Sequence, residues 1–205
     1  RFMTDRGPSG ADDTIHRSRL TDDLIVGATQ TIQVTRTHLE MNSEPTSVPP
    51  APPAIPHAIM RAHNPTVSFY RFLYHNVGET YLWWERRAIS DSQLGEIISD
   101  ESVEVMVFYV EGTPAGYYEL VTYNEKNEVD IGYFGLLPEF VGRKLGAYLL
   151  RVAIDDAWSR KPNRVTVNTC TLDHPNALPN YQRAGFAPYD QDTFEIEDPR
   201  LAGYF

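Results

Sequence analysis

Cysteine is almost missing from this chain. Cys170 is the one thiol in 205 residues, which excludes an internal disulfide and suits a reducing compartment. No His/Cys pattern has the spacing of a metal site, so no metal is expected. Long apolar runs are also absent. No stretch approaches the length that crosses a bilayer, and the N-terminus lacks the charged-then-apolar pattern of a signal, so no membrane association and a cytoplasmic location are expected. Basic charge is scarce: 18 Lys and Arg stand against 28 Asp and Glu, a formal charge of −10. A general nucleic-acid binder normally carries a basic face, so that class is disfavoured, whereas a cationic partner is compatible.

What is present is a globular composition, 41% hydrophobic and 12% aromatic. The length suits one good core and is short for two domains. Residues 1–29 are polar and mixed in charge, read as an N-terminal extension in which Leu20, Leu24, Ile25 and Val26 could form a short helix. Residues 30–205 read as a single domain. Gln30–Met41 is rich in β-branched residues and reads as a first, edge-type strand. Glu44–His57 holds six prolines, so it should be extended and partly polyproline II, either a stiff loop within the domain or a site for a proline-recognising partner. Asn64-Pro65 then opens a helix that runs to Val77 and stops at Gly78. A second helix is expected from Ser90 or Asp91 to Ser99. Val103–Val110 and Ala115–Tyr123 read as strands joined by a turn at Gly112–Ala115, and Asn124–Asn127 turns the chain into Val129–Leu137.

The stretch with chemical content runs from Val129 to Phe186. Val129–Leu137 is an apolar strand stopped by Pro138. From Gly142 the pattern becomes helical, with Leu145, Leu149 and Val152 on one stripe and Leu150, Ile154 and Trp158 beside it. A strand that turns into a helix through Gly142 and Gly146 clusters unpaired N–H groups at the helix start, a natural anion site. Arg143 and Lys144 lie where the helix dipole disfavours cations by roughly 0.3–1 kcal/mol each, which is easier to understand if a polyanion sits there. An ordinary turn with two surface cations is the alternative. Val165–Thr169 follows as a strand. Asn176 is then placed to cap a helix with Pro179 in its first turn and Gly185 as its left-handed cap, and a last strand lies around Thr193–Ile196. The element order β-αα-βββ-α-β-α-β makes an α/β fold with a mixed sheet.

These residues resemble the GNAT superfamily of acetyl-CoA-dependent N-acetyltransferases. The family's acyl-CoA loop is Arg/Gln-x-x-Gly-x-Gly/Ala after a strand and a proline, and its second motif is close to Asn-x-x-Ala-x-x-x-Tyr-x-x-x-Gly-Phe. This chain supplies Leu137-Pro138 before the loop, then Gly142, Gly146 and Ala147, then Asn176, Tyr181, Gly185 and Phe186. It departs from the pattern at Val141, where Arg or Gln is usual, and at Lys144, where the middle glycine is expected; Ala177 also directly follows Asn176. The resemblance implies a mostly antiparallel, twisted sheet flanked by helices. It implies acetyl-CoA as co-substrate, with pantetheine beside the backbone of Phe134, Leu136 and Leu137 and near Asn176, and pyrophosphate over Gly142, Arg143, Lys144, Leu145, Gly146 and Ala147.

By the same resemblance Tyr181 is the general acid at the sulfur, and Tyr81, Trp83 and Trp84 lie where an amine acceptor binds, with packing of the helices as their alternative role. Glu119, inside an apolar strand, is the candidate base because burial would raise its pKa. Asp130, His174 or a water chain are its rivals. Attack is expected to be direct, with no acyl-enzyme, so Cys170 should be dispensable. A non-catalytic acyl-CoA-binding or regulatory protein on the same fold is the other reading, and a homodimer is left open.

Overall fold

The computed structural model describes residues 30–205; the extension over residues 1–29, including the expected helix at Leu20–Val26, lies outside the described residues. Seven strands form one sheet: β1 (Thr31–Met41), β2 (His57–Arg61), β3 (Val103–Val110), β4 (Thr113–Tyr123), β5 (Glu128–Leu136), β6 (Arg164–Cys170) and β7 (Ala187–Glu197). Their spatial order is β2-β3-β4-β5-β6-β1-β7. Every pair is antiparallel except β5 with β6. Among the described residues four α-helices cover the sheet: α1 (Val67–Gly78), α2 (Asp91–Ile98), α3 (Leu145–Trp158) and α4 (Ala177–Ala184). Successive strand residues point to opposite faces. The α1 residue Tyr70 bonds Glu119, and Tyr118 bonds Asp156 of α3, so α1 and α3 lie on opposite faces of β4. No described helix is long and apolar enough to cross a membrane.

Local chemistry sets most boundaries. α2 carries a capping box in which Ser90 and Gln93 satisfy each other's backbone amides. α1 is capped by Thr66, whose hydroxyl accepts from the Phe69 N–H at 3.3 Å; the expected Asn64-Pro65 start is therefore displaced, and Pro65 precedes the cap. The β3–β4 hairpin turns at Glu111 and Gly112, with φ of 51° and 81°. Two consecutive left-handed residues match the twist of a two-residue hairpin, so the turn comes earlier than the expected Gly112–Ala115. The final strand extends well beyond Thr193–Ile196 because all of Thr31–Glu40 is available to pair with it.

Two strand assignments differ from the sequence reading. β1 is internal, paired to β6 on one side and β7 on the other; it was expected at an edge. β2, hidden behind the prolines, forms the edge instead, on β3. The proline-rich segment must therefore cross from β1 to the far side of the sheet. Five strand spacings are about 24 Å, well within the reach of about 15 extended residues. Its course follows α3 backwards. Trp158 donates to Met41 Sδ, Arg151 donates to the Ser47 carbonyl at 2.8 Å, and His57 meets the Tyr148 hydroxyl at 3.2 Å.

Close approach of α1 to β5 requires Gly135. A Cβ there would run into Val77 Cγ1 and lie 3.9 Å from the Trp83 ring. Gly135→Ala is expected to cost about 1–3 kcal/mol through overpacking, read as a lowered urea midpoint; an unchanged midpoint would show that α1 can move away freely.

Candidate active site

The site begins where β5 and β6 part. Their parallel pairing extends only from Glu128 with Arg164 to Ile131 with Val167. Beyond it, Leu120 pairs with Ile131 and Glu119 with Tyr133, which leaves Gly132 as an extra residue in β5. A bulge bends its strand and strengthens the twist, so β5 turns away from β6 at the point where their ladder ends. Between Gly132 and Leu136, β5 keeps its β4 partner and, among the described residues, has no strand on the other side. That edge offers backbone groups to an extended ligand.

The edge leads to the start of α3. A short 3-10 turn over Pro138–Phe140 precedes it, and the helix begins at Leu145, later than the Gly142 start read from the sequence. Gly142 has φ of 81° and nothing within 4 Å of where a Cβ would stand. Lys144, at the expected glycine position, has φ of 61° and caps the helix without a side-chain bond. A left-handed lysine costs roughly 1–2 kcal/mol, and this backbone is the reason glycine suits the position. Arg143 stacks its guanidinium over Phe140 at 5.1 Å. The first-turn N–H groups of α3 have no intrahelical acceptors, and Ala147 is exposed while Leu145 is buried.

A cleft of about 260 Å³ opens at the splay, lined by Val77, Thr80, Tyr81, Leu136, Pro138, Val141 and His174. Of the residues assigned to the acyl-CoA arm, Leu136 lines it. Phe134 does not line it; its ring stands 6.4 Å from that of Tyr181. Leu137 is buried and its N–H is spent on the Ala115 carbonyl, so it anchors the end of β5 rather than offering an amide. Asn176 stands at the α4 N-terminus as expected but makes no side-chain cap, which leaves its amide available to a ligand. Gly185 closes α4 with φ of 110°.

Tyr181 enters the same region from α4. Its ring is buried against Phe134 and Phe186, and its hydroxyl has no protein partner among the described residues. Burial pushes its phenol up, and the nearby charges of Asp173 and Asp130 push it further, so it holds its proton as an acid must. Tyr81 lines the cleft opposite His174, their rings 6.1 Å apart.

The two tryptophans are placed differently from the expectation. Trp83 packs into the notch left by Gly78 and against Tyr74 and Tyr133, and donates its Nε1–H to Asp173 at 3.2 Å. Trp84 stacks on Tyr204. Neither indole lines the cleft, because the glycines beneath Trp83 give it a better-packed place than solvent.

Glu119 lies in a sealed network. It is fully buried, accepts from Tyr70 Oη at 2.6 Å and from Arg86 Nη2 at 2.9 Å, and so has both oxygens engaged. Burial pushes its carboxyl up, while Arg86 and Tyr70 pull it back. A base acting directly on an acceptor needs an accessible oxygen, which this arrangement withholds. His174 accepts the Asn176 N–H on Nδ1 at 3.0 Å; in the neutral ring that leaves the proton on Nε2 and no spare lone pair. Asp130, at the foot of the splay, accepts from Thr166 at 2.6 Å, and burial pushes its carboxyl up. Burial raises the Cys170 thiol as well, the opposite of what a nucleophile requires. No group of three or more metal-ligating side chains occurs among the described residues.

Sequence reasoning missed Asp173. It sits in the turn after β6, next to the cleft residue His174, and accepts the Trp83 Nε1–H at 3.2 Å. Thr169 and Cys170, its partners in the turn, are local, but the contact with Trp83 joins segments ninety residues apart and no local motif marks it.

Comparison with known proteins agrees with this architecture. No curated protein matches the chain by sequence. Among solved structures, a tandem GNAT protein from the clavulanic acid biosynthesis pathway superposes with a TM-score of 0.56 at 19% identity, covering 80% of this chain and 53% of its own. A GCN5-related N-acetyltransferase from Sphaerobacter thermophilus gives 0.56 at 15% identity, with 80% and 51% covered. The chain thus spans about half the length of these two. An aminoglycoside acetyltransferase from an uncultured soil metagenomic sample gives 0.52 at 15% identity, covering 63% of this chain and 87% of that one. At these identities the likeness is one of fold. The sequence profile described as "Acetyltransferase (GNAT) family" matches residues 65–186, from the start of α1 to the end of the Tyr181 helix, and the chain belongs to that family.

Proposed function

We propose that this protein moves an acetyl group from acetyl-CoA to a primary amine of a small molecule or peptide, by direct attack and in the cytoplasm. The observation that carries the reading is the continuous path from the unpaired edge of β5, past Tyr181, to the open amides before α3. Gly132–Leu136 would receive the pantetheine arm as an added strand, with Asn176 beside it. The N–H groups from Gly142 to Ala147 would take the pyrophosphate, with Arg143 and Lys144 in reach of its charge. The open space over Gly142 fits a phosphate better than a buried turn would.

In the transfer, the amine nitrogen forms a bond to the acetyl carbon as the carbon–sulfur bond breaks. Tyr181 protonates the departing thiolate and regains a proton given up by the nitrogen. The ammonium's first proton leaves through water. Asp130 is the carboxylate best placed to receive it, since its raised affinity for protons and its position at the foot of the splay suit that role. Glu119 acts from a distance, holding Arg86 and Tyr70 in place. Because one fold neighbour is an aminoglycoside acetyltransferase, polycationic amines are the first acceptors to screen. A non-catalytic acyl-CoA binder is the second reading, favoured by Lys144 at a left-handed position and by half-exposed Val141 in place of Arg or Gln.

Calorimetry with acetyl-CoA tests the reading. Gly146 faces only Leu136 Cδ1, at 3.7 Å from where its Cβ would be, so Gly146→Trp should fold and place an indole over the loop. Saturable binding by the wild type that weakens at least 10-fold in the variant is expected. Equal binding by both would remove the loop from the site. Binding with no acetylation of any amine would favour the non-catalytic reading.

A further inference from the structure

The cleft at the end of β5 collects apolar side chains from several elements. Val77 comes from α1, Leu136 from β5, and Pro138 and Val141 from the segment that leads into α3. Two of them are fixed by glycines. Val77 Cγ1 occupies the space where Gly135 has no Cβ, and Leu136 Cδ2 lies 2.8 Å from where a Cβ of Gly116 would stand. Val141 is 43% exposed, an apolar side chain with an open face. The other lining residues, Thr80, Tyr81 and His174, present two hydroxyls and an imidazole. A hydroxyl can accept from an amine N–H. Neutral His174, with Nδ1 already accepting from Asn176, has only a donor to offer.

Among the described residues no carboxylate lines this cleft. Three flank its lining residues in the chain. Glu79, before Thr80, pairs with Arg87 at 3.3 Å. Asp173, before His174, accepts from Thr169, from the Cys170 N–H and from Trp83. Glu139, after Pro138, is exposed to solvent, where a charge pair contributes little. Beyond Val141 the next charges are those of Arg143 and Lys144, which repel a cation. A second or third ammonium placed against this lining would give up hydration without gaining a counter-charge. An apolar group gains in proportion to the area it removes from water.

We propose that the cleft selects its acceptor by an apolar substituent: a primary amine with one nitrogen and an aryl or alkyl group, in preference to a polycation. The substituent seats against Val77, Leu136, Pro138 and Val141, and the hydroxyls of Thr80 and Tyr81 meet the amine N–H groups. This inference rests on the acetyl-transfer reading and names the acceptor class for it. It reverses the order of acceptors that fold likeness suggests, because the lining belongs to this chain and the likeness only to the fold. Val141, which departs from the family pattern, becomes a specificity residue.

The test measures kcat/KM at saturating acetyl-CoA for 2-phenylethylamine, hexylamine, ethanolamine and spermidine, and the binding of each by calorimetry with and without CoA. The first two should exceed the last two by roughly 10-fold or more in both measurements, the gain expected from burying the substituent. Val141→Asp changes a half-exposed position, which the fold tolerates, and brings a carboxylate to the lining. It should shift the ratio of spermidine to 2-phenylethylamine toward spermidine by roughly 10-fold or more. As a ratio, this readout is insensitive to a weaker hold on acetyl-CoA or to a partly folded sample. Ethanolamine or spermidine used as well as 2-phenylethylamine overturns the proposal, and so does a ratio that Val141→Asp leaves unchanged, or a protein that neither binds nor acetylates any of the four. Acetylation without the preference would keep the transfer reaction and defeat the apolar subsite. Binding with the preference but no acetylation would keep the subsite and defeat the transfer. Hexanoyl-CoA in place of acetyl-CoA separates acceptor from acyl chain: if Val141→Asp alters the preference between the two thioesters and not that among the amines, the cleft holds the acyl chain and the proposal fails.

Discussion

Tyr181→Phe is expected to slow acetyl transfer by roughly 100-fold or more, the lower end of what a positioned general acid contributes. The substitution keeps the ring that packs on Phe134 and Phe186, so the loss should appear in kcat, with acetyl-CoA affinity and thermal stability close to wild type. The phenol is pushed up by burial and by the charges of Asp173 and Asp130. A raised pKa keeps the neutral, proton-bearing form as pH increases. The wild-type rate should therefore show no decline from this group up to about pH 10, near the ordinary tyrosine value. A variant that retains the full rate would move the acid elsewhere, to water or to another cleft residue.

Glu119→Ala should have the largest effect on stability. It would leave the Arg86 guanidinium, itself 14% exposed, without its buried counter-charge, and would take the acceptor from Tyr70. Breaking a buried pair in this way costs about 3–5 kcal/mol. For a protein of this size that is a fall in Tm on the order of 10 °C. Glu119→Gln keeps oxygen and shape and should cost less. These two variants also separate the anchoring role from direct base catalysis. If Glu119→Gln folds like wild type and loses more than 100-fold in rate, Glu119 is the base after all; if it keeps most of the rate and loses stability, the network is an anchor. Measured melting curves and kcat on the same preparations decide between them.

The two predictions draw on opposite sides of one sheet. Tyr181 reaches the splay from the α3–α4 layer, and Glu119 faces the α1 layer through Tyr70. Between them the Gly132 bulge ends the β5–β6 ladder and opens the space they border. Had β5 continued to pair with β6 beyond Ile131, there would be neither a free edge for an added strand nor an opening at the end of β5.

Much of this was already set by local sequence. Val103–Val110 reads as a strand by composition alone, and Ser90 with Gln93 specifies the start of α2, because capping and alternation need only residues a few positions apart. The helix from Asn176 to Gly185 and the path from Pro138 to α3 were legible for the same reason, and they carried the family resemblance. Other features depended on partners that the chain brings together only on folding. β1 is internal because its mates lie more than a hundred residues away, and a strand's own pattern does not name its neighbours. β2 is a strand because β3 offers it an edge, not because His57–Arg61 is distinctive. Trp83 is packed rather than exposed because Gly78 and Gly135 make room for it. Glu119 is sealed because Tyr70 and Arg86 close over it. Asp173 meets Trp83, ninety residues earlier, only in the folded chain. Short-range chemistry thus determined the elements and the anion-binding turn, while burial and long-range pairing, which exist only in the folded chain, decided which polar side chains face the reacting groups.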